Sequence, residues 1–192
     1  WFSELFSANL MMNHSVSSSG GTEKTSYYAS LSAMVDPGWY KQSNVNRYTA
    51  NLNTTYRISP AIQLNIIANA SYRKQKAPGT LSQDVDVVNG QVKRDYDINP
   101  YSYALNSSRA LDPDTYYQAN YAPFNILHEL DNNYIDLNVV DTKFQAELRW
   151  KPITGLELAV LGAIKYATTS QEHKIKDASN QALSYRAMGN TI

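Results

Sequence analysis

Polar and apolar residues alternate with a period of two along most of this chain. In residues 47–57, tyrosine, alanine, leucine and one threonine at even positions alternate with threonine, asparagine and arginine at odd positions. Because successive side chains of a strand point to opposite faces, such a segment is a strand with one apolar and one polar face. Six strands are predicted in this way, near residues 10–19, 25–35, 47–57, 62–74, 141–151 and 156–167.

The connections between these strands alternate between short and long. Short turns rich in glycine or proline follow every other strand, whereas the longest connection covers 75–138. Strands of about ten residues with dyad alternation and unequal connections are typical of outer-membrane barrels. We therefore predict an all-β fold, in which residues 1–192 belong to one antiparallel up-and-down transmembrane β-barrel domain. Its short turns would face the periplasm, and 75–138 would be a long extracellular loop.

The polar connections contain one further predicted element. Four apolar residues that follow Pro123 have the spacing of a short helix. They are Ile126, Leu127, Leu130 and Tyr134. The neighbouring pair His128 and Glu129 is interpreted as a solvated loop pair, and 168–192 is predicted to be loop.

Composition adds a second indication of a membrane interface. Tyrosine outnumbers phenylalanine 15 to 4, and tyrosine suits positions where one end of the ring is apolar and the other is wet. Six aromatic residues on the predicted apolar faces are interpreted as anchors in outer-membrane lipid: Tyr27, Tyr48, Tyr56, Tyr72, Trp150 and Tyr166. The formal net charge of +0 provides no electrostatic reason to expect a nucleic-acid partner.

The sequence carries no constellation that predicts catalysis. Its three histidines are scattered, and the absence of cysteine excludes disulfides and thiolate zinc sites. Asp112, Asp114 and Asp131 lack the spacing of a calcium-binding EF-hand and are interpreted as loop residues. We expect no enzyme activity, no metal and no cofactor.

Two groups of residues are candidates for contact with a solute. Aromatic side chains of the predicted outer loops offer flat faces for sugar rings or peptide side chains: Trp39, Tyr40, Tyr101, Tyr103, Tyr116, Tyr117 and Tyr121. Polar residues on the predicted inner faces are candidates to line a hydrated lumen: Asn51, Asn53, Asn65, Asn69, Lys143, Glu147 and Arg149. The alternatives are packing among the loops or against a lid for the first group and cross-strand pairing for the second.

Several stretches resemble one known family, the SusC-like TonB-dependent transporters of Bacteroidetes. The glycine hairpin at 19–28 is similar to a hairpin early in the barrel of that family, and Gly38 and 46–48 fit the same pattern. Residues 110–138, with Phe124-Asn125 and Glu129-Leu130, and the turn at 151–156 are similar to later parts of it.

This resemblance implies import of oligosaccharides or peptides across the cell outer membrane. It further implies a barrel of about 22 strands with an internal plug, a SusD-like lipoprotein lid, and contact with TonB through an N-terminal part. Because the chain starts at Trp1 without a methionine and ends in a polar stretch, we expect it to be a piece of a longer protein. The residues leave two alternatives open, a soluble β-rich carbohydrate-binding or adhesion module and a passive porin.

Overall fold

The structure, a computed structural model, describes residues 2–86, 91–97, 105, 110, 112–119 and 121–190. Most of these residues lie in strands. In chain order the elements are α1 (Phe2–Leu5), β1 (Met12–Gly21), β2 (Thr25–Asp36), β3 (Val45–Ser59), β4 (Ile62–Pro78), β5 (Thr80–Asp86), β6 (Gln91–Asp97), β7 (Tyr117–Ala119), β8 (Ala122–Phe124), α2 (Ile126–Asn132), β9 (Asn133–Ile153), β10 (Leu156–Ile175) and α3 (Asn180–Ala187).

Six long strands form one antiparallel sheet in the order β1-β2-β3-β4-β9-β10. Neighbours in the sheet are also successive long strands along the chain, so the topology is up-and-down. The two remaining pairs, β5 with β6 and β7 with β8, are small hairpins in the connection between β4 and β9. The predicted fold class, an all-β, antiparallel, up-and-down sheet of about six strands, is confirmed.

The strand register brings the alternating patterns of all six strands into phase. Leu31 pairs with Ala50, and Ala50 pairs with Ala70. Residues directly opposite each other in an antiparallel pair lie on the same face, so the predicted apolar positions form one continuous apolar face. Its side chains remain open to the surroundings: Phe144 is 49% and Ile164 is 73% exposed. In the described part of the chain, no second layer covers this face.

The strands on the long-connection side run further than the alternation predicts. β4 continues to Pro78, β9 begins at Asn133, and β10 continues to Ile175. The extension of β10 is polar on both faces, whereas in β9 the alternation exchanges its sides, so that Ile135, Leu137 and Val139 lie on the otherwise polar face. The pattern that predicts the strands therefore ends although the ladder of backbone hydrogen bonds continues. The prediction that 168–192 is loop was therefore wrong, because it contains the end of β10 and all of α3.

The short helix after Pro123 is confirmed as α2, although Tyr134 lies beyond it in β9. Asn125 begins the helix with an N-cap, in which its side-chain oxygen accepts hydrogen bonds from Leu127 N and His128 N at 3.0 and 3.2 Å. This arrangement satisfies amide groups that have no partner within the helix. None of the described helices has the length and apolar character needed to cross a membrane.

The buried apolar core lies outside the long sheet, among the elements at its long-connection edge. We call residues 112–119, 121–132 and 176–190, with β7, β8, α2 and α3, the cap. In the described part of the chain, the fully buried apolar side chains belong to the cap or to α1: Leu5, Ala122, Phe124, Ile126, Leu130 and Ala182. The molecule therefore combines a single-layer sheet with a small packed cap.

Three glycine variants test the geometry of the connections. Gly38 has a φ of +77° and a Cβ added there would overlap the carbonyl of Ser43, whereas Gly155 has a φ of +89° with open space around it. Gly155→Ala should therefore destabilise its turn by about 1–2 kcal/mol through backbone strain alone, and Gly38→Ala should disturb its loop more strongly. Hydrogen exchange of peptides covering each turn would measure both effects. Gly162→Ala, in the open middle of β10, is the control, and equal effects at Gly38 and Gly155 would contradict the close approach to Ser43.

Candidate functional site

The apolar face carries aromatic residues toward both of its edges. All six predicted anchors lie on it, and they divide into a group near the short turns and a group near the long connections. The first group is Tyr27, Tyr56 and Trp150, and the second is Tyr48, Tyr72 and Tyr166. In the second group, the rings of Tyr48 and Tyr72 stack, with centroids 6.5 Å apart.

The distance between the two aromatic groups fits the apolar core of a membrane. Trp150 pairs with Ile62 at the edge near the short turns, and Val140 pairs with Tyr72 at the edge near the long connections. Ten residues of strand span about 33 Å, and the usual tilt of barrel strands reduces this to a height of about 25 Å. This height matches the outward-facing apolar band of an outer-membrane barrel.

The opposite face of the sheet is polar and contains all seven predicted lumen residues. Asn51, Asn69 and Lys143 form one cross-strand row. The remaining four, Asn53, Asn65, Glu147 and Arg149, lie toward the short-turn edge of the same face.

Cross-strand hydrogen bonds join part of this polar face. Asn65 donates from Nδ2 to Glu147 Oε1 at 3.1 Å, and its own Oδ1 accepts from Thr55 and Gln63 at 3.1 and 2.8 Å. The same Glu147 oxygen pairs with Arg149 Nε. Asn65 and Glu147 thus pair across β4 and β9, as in the structural alternative considered for them, whereas the contact between Glu147 and Arg149 lies within β9. The surface offers carboxylate, guanidinium and amide groups together, which suits a neutral polar solute better than an ion of one sign.

The polar face is least polar along β10. Ala159, Leu161 and Ala163 share this face with the polar residues of β9, and Leu161 is 55% exposed. The polar surface therefore extends from β1 to β9 across the sheet and becomes weaker at β10.

The aromatic candidates of the loops differ in how much of each ring is exposed. Trp39 is 75% and Tyr121 is 82% exposed. Tyr40 contacts Phe6 edge to face, with ring centroids 6.2 Å apart. Tyr101 and Tyr103 lie outside the described residues.

The two remaining loop tyrosines belong to the cap and contact other residues of it. Tyr116 meets the ring of His128 edge-on at 5.9 Å, and Tyr117 packs at 5.1 Å against Phe124. Within the described part of the loops, Trp39 and Tyr121 therefore present the largest open aromatic surfaces. An ion pair of 3.6 Å between Lys41 and Asp131 links the loop that contains Trp39 to α2.

A buried polar cluster holds the cap together, and the sequence pattern did not reveal it. Glu129 is only 1% exposed, and its carboxylate accepts hydrogen bonds from Asn180 N at 2.8 Å and Asn133 Nδ2 at 3.4 Å. The interpretation of Glu129 as part of a solvated loop pair was therefore wrong. Burial raises the pKa of Glu129, and the hydrogen bonds from Asn180 and Asn133 oppose this rise.

Asn180 also connects α3 to the strand that precedes α2. Its side-chain nitrogen donates to the carbonyls of Ala122 and Pro123, each at 3.0 Å. Ser179 is the N-cap of α3 and accepts from Ala182 N. A serine or asparagine before a helix is a recognisable sequence signal, so Ser179 was the residue from which α3 could have been predicted.

Two aspartates of the connection form a local turn, whereas Asp131 lies within α2, so its interpretation as a loop residue was wrong. Asp112 accepts a hydrogen bond from Asp114 N at 2.9 Å, as in an Asx-turn, and Asp131 pairs with Lys41. Among the residues that the structure describes, no three histidine, aspartate or glutamate side chains form a group suited to a metal ion.

Comparison with known proteins gives a likeness to a solved structure. No family model matches the chain, and no curated protein matches it. A chain from the structure of the RagAB peptide transporter superposes with a TM-score of 0.61 and 19% sequence identity, over 90% of this chain and 19% of that chain. At this identity the likeness concerns the fold. This chain spans about a fifth of the length of the transporter chain.

The buried carboxylate predicts a pH-dependent cap. Because the pKa of Glu129 is raised above its ordinary value of 4.5, its contribution to stability is fully present below about pH 4.5. That contribution is lost as the pH rises through the raised value. Hydrogen exchange of α3 in the full-length protein should therefore accelerate with pH more steeply in the wild type than in Glu129→Gln, after correction for intrinsic exchange. Glu23→Gln, in the exposed turn between β1 and β2, should leave the slope unchanged, and equal slopes in all three proteins would contradict this role for Glu129.

Proposed function

We propose that this chain forms part of the wall of an outer-membrane β-barrel that imports nutrients, as in the SusC-like TonB-dependent transporters that it resembles. The observation that carries the proposal is a continuous apolar face that no described residue covers, with aromatic groups at both edges about ten residues apart along the strands. At the usual tilt of barrel strands, this separation corresponds to a height of about 25 Å. An exposed apolar surface of this extent is unusual in a soluble monomer. A lipid bilayer covers such a surface without a second protein layer.

The polar face is then the wall of a hydrated passage. The network around Glu147 and Asn65 presents hydrogen-bond donors and acceptors of both charge signs. Such a wall allows a polar solute to exchange hydrogen bonds with water for hydrogen bonds with protein as it moves. The role of the protein is transport of the solute, and we propose no catalytic step for it.

The cargo is an oligosaccharide or a short peptide. Trp39 and Tyr121 lie in connections on the long-loop side and expose most of their ring surface, so they are suited to stacking on sugar rings or apolar peptide side chains. The similarity of fold to a chain of a peptide transporter supports the peptide as cargo, and the resemblance to SusC-like transporters is the reason to retain the oligosaccharide. A SusD-like lipoprotein would close over these loops, and TonB would act through a part of the protein beyond this chain.

A pair of neighbouring arginine substitutions tests the membrane assignment. Leu52 lies in the middle of the apolar band on β3, and Asn53 lies next to it on the polar face. In the full-length protein, Leu52→Arg should destabilise the barrel in lipid vesicles by about 2–4 kcal/mol, because a charge near the bilayer midplane is costly. Asn53→Arg should be tolerated. Denaturant titration in vesicles would measure the difference, and equal tolerance of both substitutions would favour a soluble module.

An uptake assay tests the transport function itself. Cells that produce the full-length protein should accumulate labelled oligosaccharides or peptides, and a protonophore should stop this accumulation if TonB drives it. At limiting substrate, Trp39→Ala or Tyr121→Ala should lower uptake by about 2- to 10-fold through loss of ring stacking. Tyr185→Ala, on the exposed side of α3, is the matched control. Uptake that persists with the protonophore would indicate a passive porin, and absence of uptake for both cargo classes would contradict the proposal.

A further inference from the structure

The apolar face becomes charged just beyond its aromatic group near the long connections. On β4, Tyr72 is followed on the same face by Lys74 and Lys76, and pairing with β9 places Asn138 and Asp136 beside them. Two residues of strand advance the chain by about 7 Å, so the two lysines stand about 7 and 13 Å beyond Tyr72. In the proposed function this is the level of the lipid headgroups.

Three lysines at this level, including Lys76, surround the ring of one tyrosine. The ammonium groups of Lys76, Lys174 and Lys176 lie 4.7, 6.0 and 5.3 Å from the ring centroid of Tyr134. We call Lys74, Lys76, Lys174 and Lys176 the lysine cluster. Cation–π contact with the ring keeps the ammonium groups close to one another, although like charges at this spacing repel.

The carboxylates on this face neutralise only part of the cluster. Asp136 lies 2.7 Å and Glu172 3.4 Å from the same ammonium group, that of Lys174. In the described part of the chain, no carboxylate comes within ion-pairing distance of Lys74 or Lys76. The lysine cluster therefore carries excess positive charge at the edge of the apolar band, where an anion would be attracted.

An apolar groove lies next to the lysine cluster on the same face, on the side of the short turns. It has a volume of about 620 Å³, is lined by Leu31, Tyr48 and Tyr72, and adjoins a second hollow of about 480 Å³. Small side chains leave this space between the larger ones: Ala33, Ala50 and Ala70 line the first hollow, and Ala29, Ala50, Ala68 and Ala70 line the second. The groove is therefore shaped for a flexible hydrocarbon chain.

We propose that the groove and the lysine cluster together bind an anionic lipid through its phosphate group. One acyl chain lies along the alanines, and the phosphate lies between Lys74 and Lys76. This inference rests on the proposed function, because a lipid meets this face only if the sheet stands in a bilayer. The excess charge favours a lipid over a second copy of this chain. Two copies that packed against each other through this face would bring their lysine clusters together, and the like charges would repel.

Native mass spectrometry of the detergent-purified full-length protein tests the lipid site. The probes are phosphatidylglycerol and phosphatidylcholine with identical acyl chains, which differ in net headgroup charge. We expect the protein to retain phosphatidylglycerol more tightly than phosphatidylcholine. The double substitution Lys74→Gln with Lys76→Gln should weaken phosphatidylglycerol binding by about fivefold for each lysine. Ala70→Leu, which fills the groove, should weaken binding of both lipids. Lys24→Gln, in a turn at the opposite edge of the sheet, should change neither.

The other outcomes separate the lipid site from the proposed function. Equal retention of the two lipids, or an unchanged preference after both lysines are replaced, would overturn the lipid site. Complete displacement of phosphatidylglycerol by an equal concentration of inorganic phosphate would overturn it as well, by indicating a free-anion site. If these results occur while Leu52→Arg still destabilises the barrel selectively, the lipid site alone is refuted. Equal tolerance of Leu52→Arg and Asn53→Arg would instead refute the membrane assignment.

Discussion

The architecture depends on one constraint, the common phase of alternation across six hydrogen-bonded strands. Each strand separates apolar from polar residues, but only the register makes these into two continuous faces. A slip of one residue between β3 and β4 would place Asn69 among the alanines and Ala70 among the polar residues. The tight turns after β1, β3 and β9 restrict such slips, because few residues are available to absorb them.

The sheet and the cap differ in how their apolar side chains are covered. In the part of the chain that the structure describes, the long sheet has no protein layer over its apolar face, so its stability depends on the environment that covers this face. The cap buries Phe124, Ile126 and Leu130 against its own elements and satisfies polar groups such as Glu129 with hydrogen bonds from Asn180 and Asn133. Lipid suits the first arrangement, and water around a packed core suits the second. The boundary between them lies near Tyr72, where the lysines begin.

Under the proposed function, the placement of the polar groups serves transport. One face offers amide, carboxylate and guanidinium groups in a cross-strand network, and the long-connection edge carries exposed aromatic rings on loops. A rigid wall with variable loops at one end is suited to selective passage, because the loops determine which solute binds. The cap ties these loops to the sheet through α2, as the ion pair between Lys41 and Asp131 illustrates.

The sequence by itself determined the strands, their two faces and the unequal connections, because alternation records which side of a strand meets water. It also indicated α2, through Asn125 and the helical spacing after Pro123. Only the tertiary structure revealed the ends of β4, β9 and β10 near the long connections, because the alternation is lost in β10 and exchanges its sides in β9 while the hydrogen bonds between the strands continue. The tertiary structure also determined that Glu129 is buried. Its burial depends on Asn180, which lies about fifty residues later in the chain. No local pattern contains that contact, because only the folded cap brings the two residues together.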